Sequence, residues 1–177
     1  MAKRKNEFII ARDKKGNKVV VINEIIFEGR KKLPWKEVEK YLKRYIGAVV
    51  QVSETAEIVH IDKDFPDEYK GSEDTENARG ASAKAKANAV QGIIQMIEIA
   101  RKTSASENMK RKNHKKASQG WLRYLTRFAL PVLNYQNGIT HYNIYIATLV
   151  VRKNEKGKLS LYDVVNVKKE TETVLEL

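Results

Sequence analysis

The longest alternation of apolar and polar residues runs through residues 120–171 and predicts two successive hairpins. Strand 121–133 puts Leu122, Tyr124, Phe128, Leu130 and Val132 on one face, and Arg123 and Arg127 on the other. In residues 139–151 the apolar set is Tyr142, Ile144, Ile146 and Val150. A two-residue Asn137-Gly138 turn would put these two sets on opposite faces, because side chains alternate with period two. A three-residue loop, 136–138, with Gly138 left-handed pairs Tyr135 with Ile139 and brings the sets together. The next turn, at 154–157, then aligns Leu159, Leu161, Val165 and Val167 with the same core. The open face would carry Arg123, Arg127, His141, Asn143, Tyr145, Tyr162, Asn166 and Lys168.

Towards the N-terminus, residues 8–11 and 19–27 are rich in Ile and Val and flank the turn-forming run 13–17, which predicts another hairpin. Pro34 opens a helix in which Trp35, Val38, Leu42 and Tyr45 recur at helical spacing until Gly47. Lys36, Glu37, Lys40, Lys43 and Arg44 form its outer face. Residues 48–52 and 56–61 read as short strands, and residues 62–77 as an acidic solvated loop.

Residues 78–102 read as one long helix. Projection at the helical period puts Ala85, Ala89, Ile93, Met96, Ile97 and Ala100 on one stripe, which should face the core. Arg79 and Lys86 fall on that stripe. Two readings stay open: the cations snorkel to water near the helix end, or the first two turns overhang a cleft into which Arg79 and Lys86 point. Small residues at 81–83 and 85 would let a phosphate approach closely. Residues 103–119 read as a loop, within which 110–116 carries five cations and His114; the surrounding positive charge favours the neutral, proton-accepting imidazole.

Composition narrows the class. A chain of 177 residues, 42% hydrophobic, can bury one substantial core, and a single domain spanning 1–177 is expected, with residues 1–77 and 78–177 as its two parts. The absence of cysteine removes disulfides and thiolate chemistry. No apolar run approaches the roughly 20 residues of a membrane span, and the N-terminus lacks the apolar stretch of a secretory signal, so a cytoplasmic protein without a membrane partner is expected. The net charge of +12 is unevenly distributed. Residues 1–52 carry 14 cations against 6 carboxylates and residues 78–128 carry 12 against 2, whereas residues 53–77 carry 2 against 9. Tyr and Trp interleaved with the cations favour a nucleic-acid partner, RNA before DNA, because aromatic rings can stack on bases.

Phosphate-cradling glycine loops, HExxH pairs and GxSxG elbows are absent from the sequence, and three histidines make a His-rich metal site remote. No metal and no cofactor are expected. The chemistry left to Lys, Arg, Tyr and His is that of metal-independent ribonucleases. A base activates the 2′-hydroxyl, cations stabilise the transition-state charge, and an acid protonates the leaving oxygen.

The stretches KAKANAVQGI (84–93), GWLRYLTRFALPV (120–132) and LYDVVNVKKET (161–171) resemble domains of phage and mobile-element polyvalent proteins, grouped with the barnase, colicin and RelE-like nucleases. The resemblance covers roughly the C-terminal 95 residues. It implies an α+β fold and an active site of scattered basic, histidine and tyrosine residues. The fold expected is therefore an N-terminal hairpin and helix, with a long central helix packed on a C-terminal three-stranded antiparallel meander. On this likeness Lys86, His114, Arg127 and Tyr162 are the catalytic candidates. Arg79, Lys112, Lys115, Arg123, His141, Tyr145 and Lys168 are the nucleic-acid contacts. The leading expectation is a metal-independent ribonuclease, a toxin or phage-encoded effector, with a host or immunity protein as a further partner. The alternative is a non-catalytic module of the same origin that binds nucleic acid or inhibits a host protein.

Overall fold

The computed structural model describes residues 8–29, 32–106 and 119–173. Eight strands form one mixed sheet, and this overturns the expected three-stranded meander under a long helix. The strands are β1 (Ile9–Arg12), β2 (Lys18–Val21), β3 (Val49–Gln51), β4 (Ile58–His60), β5 (Arg101–Ser106), β6 (Trp121–Leu133), β7 (Ile139–Lys153) and β8 (Leu159–Thr173). Their order is β1-β2-β6-β7-β8-β4-β3, with β5 also paired to β6. The β2–β6 and β4–β8 contacts are parallel, and the other ladders are antiparallel. The β6–β8 meander is thus the middle of a sheet whose flanks come from residues before 62, so the two parts of the chain share one core.

The helix expected over 78–102 is broken. It consists of α4 (Gly80–Ala89), a 3-10 turn at Val90–Gly92 and α5 (Ile93–Glu98), after which the chain enters β5. Close packing explains why glycine stands at the break. A Cβ there would stand 3.0 Å from Val20 Cγ1 and 3.4 Å from Ile22 Cδ1, so the glycine lets the helical segment press onto β2. The acidic loop also acquires structure. It holds α2 (Phe65–Gly71), which buries Phe65 and Tyr69, and α3 (Glu73–Asn77), whose first turn is capped by Ser72 Oγ accepting from Thr75 N at 3.1 Å. The helix α1 (Trp35–Leu42) buries Val38 and Leu42 as its spacing requires.

The register of β6 and β7 departs from expectation by one residue. The loop is three residues long, but it is Tyr135-Gln136-Asn137. Asn134 N–H donates to Gly138 O at 2.9 Å, Asn137 N–H donates to Asn134 O at 3.1 Å, and Asn137 is the left-handed residue at φ 59°. The Asn134 side chain replaces the turn geometry expected of Gly138, its Oδ1 accepting from the N–H groups of Gln136 and Gly138, each at 2.9 Å. A bulge between Val132 and Leu133 then shifts the ladder, so Phe128 faces Tyr145 rather than Ile146. Tyr145 therefore stacks on Phe128 in the main core, with ring centroids 5.4 Å apart. Ile144 moves to the other face, into a smaller cluster with Ala11, Val19, Val21, Ala129 and Tyr142. Irregularities in the β7–β8 register likewise put Val164 rather than Val165 in the core.

Candidate nucleic-acid interface

Alternation along β6 turns Arg123 and Arg127 away from the main core that takes Leu122, Tyr124 and Phe128. Arg127 faces Ile146 on β7, which faces Lys168 on β8, so three cations of the expected set share one sheet face. The Arg127 guanidinium is held by two carboxylates. Glu170 accepts from Nε at 3.1 Å and from Nη2 at 3.3 Å, and Asp13 Oδ2 stands 3.8 Å from Nε. Asp13 is itself fixed in the β1–β2 turn by the backbone N–H groups of Lys15 and Asn17 and by the Asn17 amide. Burial alone would raise its pKa, but these hydrogen bonds and Arg127 outweigh burial and hold the carboxyl below its ordinary range. The side chain of Arg127 keeps 14% of its surface exposed.

A gap in the sheet adjoins this pair. Strand β5 covers β6 as far as Leu125 and β2 covers it from Phe128, leaving Thr126 and Arg127 between the two ladders. A concavity of about 300 Å³ opens there, lined by Arg12, Lys18, Arg101 and Arg127 together with Glu54 and Glu98.

The remaining expected residues do not join this face. Lys86 is 1% exposed, with Nζ 2.8 Å from Asp74 Oδ2, 2.9 Å from Asp163 Oδ1 and 4.9 Å from the centre of the Tyr69 ring. It neither snorkels nor points into a cleft; it is an internal cation clamping α4 to α3 and β8. Burial raises the Asp163 carboxyl even though Lys86, Ser72 and the Val164 N–H pull it down. Tyr162 packs edge-on against Trp121 at 5.1 Å, beside the buried Arg152–Glu68 pair, and burial followed by the Asp163 charge raises its phenol. Tyr162 lies six residues along β8 from Lys168, or about 20 Å at strand rise. Lys86, in contact with Asp163, is at the same end as Tyr162. The described catalytic candidates therefore do not converge.

Two further corrections follow from the shifted register. Tyr145 is buried against Phe128, and His141 faces Val132 on the side of the sheet opposite Arg127. His141 Nδ1 lies 2.9 Å from Thr140 Oγ1, and its Nε2 is 4.0 Å from Glu172. Arg79 is exposed, and its Nη1 donates to the carbonyls of Glu76 and Ala78 at 2.6 and 2.7 Å. His114, Lys112 and Lys115 lie outside the described residues.

Sequence reasoning missed Glu170 and Asp13. Asp13 looked like a turn former and nothing more, and the β8 irregularities hide which face Glu170 takes. The available signal was a carboxylate within the basic 168–170 run. Among the described residues no three His, Asp or Glu side chains converge on a metal-sized site, and no helix is long and apolar enough to cross a membrane. No protein-family model, curated protein or solved structure matches the chain.

Proposed function

We propose that the protein binds RNA on the sheet face around Arg127 and cleaves it without a metal. The carrying observation is the Arg127–Glu170 pair, a cation and a carboxylate side by side on the sheet face turned from the main core, 14% and 30% exposed. In such a site Glu170 takes the proton of the 2′-hydroxyl. The freed oxygen attacks phosphorus, Arg127 stabilises the charge that builds on the phosphate, and the P–O5′ bond breaks as solvent water protonates the leaving 5′-oxygen, giving a 2′,3′-cyclic phosphate and a 5′-hydroxyl, with Glu170 returning its proton to solvent. Arg123 and Lys168 hold the neighbouring backbone.

Incubation with total RNA in EDTA tests it. Cyclic-phosphate ends should form, and they should be lost with Arg127→Ala and Glu170→Gln. A protein that retains RNA and releases only intact strands would instead be a binding module. The burial of Lys86 and the separation of Tyr162 from Arg127 favour that second reading, because they leave the cationic surface without the full catalytic set first expected.

A further inference from the structure

A second concavity lies on the helical side of the sheet, away from Arg127. It is a groove of about 1410 Å³ between α1, the segment before it, α3 and the start of α4. Five cations line it, Lys32, Lys36, Lys70, Arg79 and Lys84, against the carboxylates of Glu28 and Glu76. Lys84 is paired with Glu28 at 3.3 Å, and Lys70 with Glu39 at 2.6 Å. Lys36 and Arg79 are exposed and make no ion pair among the described residues. Half-buried Trp35 stands in the same wall, and Gly80, Ala81 and Ala83 leave the α4 side free of bulky groups.

We infer that this groove is a second, separate binding site, taking the backbone of a single-stranded polynucleotide with one base stacked on Trp35. Size and charge select that ligand. The space exceeds the roughly 300–1,000 Å³ typical of small-molecule pockets, and the excess of cations matches a repeating anion rather than a neutral metabolite. An indole beside unpaired cations supplies the sequence-tolerant stacking used for single strands. The inference shares only its partner class with the proposed cleavage. An all-deoxy oligonucleotide lacks the 2′-hydroxyl nucleophile and so reads binding without strand scission.

The test uses the full chain carrying Trp121→Phe, which leaves Trp35 as the sole indole, titrated with oligo-deoxythymidylate at low salt. Quenching of Trp35 emission is expected, with affinity falling as salt rises by about 0.7 logarithmic units per phosphate neutralised. Adding Lys36→Glu with Arg79→Glu should weaken binding about tenfold or more, whereas Lys40→Glu with Lys43→Glu, an equal charge change outside the groove, should weaken it about twofold or less. Equal losses in the two double variants would overturn the site, as would binding that leaves Trp35 emission unmoved. Binding lost with Arg127→Ala but kept in the groove variant would also overturn it, and would leave the sheet face as the only nucleic-acid surface.

Discussion

Lys86 and Arg127 are the same device in two settings, a cation between two carboxylates. Lys86 is 1% exposed, and both of its carboxylate partners lie within 2.9 Å. Arg127 is 14% exposed, with one bidentate partner and a second carboxylate at 3.8 Å. Burial decides what each can do. An internal lysine cannot leave its partners without stranding charge in the core, so it serves architecture. A guanidinium at a face wet on one side can exchange a carboxylate for a phosphate of similar geometry, so it can serve a ligand.

The comparison is broken most directly at Lys86. Lys86→Met keeps the length of the side chain but leaves Asp163 fully buried beside no cation. Loss of one partner of a buried pair costs about 3–5 kcal/mol, and urea unfolding should show that loss. Pairing it with Asp163→Asn should restore part of the stability. A single variant as stable as wild type would mean that the cluster is no clamp.

Arg127→Ala should act on rate instead. One preorganised donor to a developing anion can be worth about 100-fold, so cleavage should fall by that order while RNA affinity changes far less. Single-turnover rates and equilibrium binding on the same variant separate the two. Equal loss in both would reduce Arg127 to an ordinary phosphate contact and leave the binding-module reading in place.

Acid titration sharpens the contrast, because the two sites shift their carboxylates in opposite directions. Asp13 is held below its ordinary value of 3.8, so its contribution is complete above that pH and is lost as pH falls through the lower, folded value. Asp163 is raised above 3.8, so the native state binds its proton more tightly than the unfolded chain does. Its contribution is complete below 3.8 and declines as pH rises through the folded value. Unfolding between about pH 3 and pH 6 should show wild type losing its margin over Asp13→Asn on acidification. Over the same range its margin over Asp163→Asn should grow. Parallel curves for the two variants would contradict the assignment.

The same contrast explains what could be read from the sequence. Lys86 on an apolar stripe correctly marked an odd position, but both of its partners were hidden. Asp74 lay in a segment that looked like loop, and Asp163 follows a register shift in β8. The span of β6 was legible because thirteen residues alternate or pack on both faces, and Arg127 was rightly opposed to Phe128. Its companions were not. One bulge beside Leu133 moved Tyr145 into the core and His141 to its side of the sheet, since period-two alternation turns any odd slip into a change of face. The break in the long helix was not legible, because Gly92 is tolerated in a helical pattern, and only the approach of Val20 reveals why a glycine stands at that position. Strand β5 was invisible because its sequence is polar or small, with no apolar alternation, and its ladder to β6 is a backbone pairing that leaves no mark in the residue pattern.

The smallest expected effect is on the stability of Arg127→Ala itself. Asp13 keeps three hydrogen bonds from Lys15 and Asn17 when the guanidinium is removed, and Glu170 has 30% of its side chain exposed and can be hydrated in place. The loss should therefore be about 1 kcal/mol, the upper range for an exposed pair and well short of a buried one. It should shrink further near 1 M salt, where the screening length falls to about 3 Å. Lys86→Met should keep its full deficit in the same salt, because ions do not enter the core between α4 and β8. Urea midpoints for both variants at low and high salt measure this. If salt rescued Lys86→Met, or left a large deficit in Arg127→Ala, the division into an architectural cation and an available one would have to be abandoned.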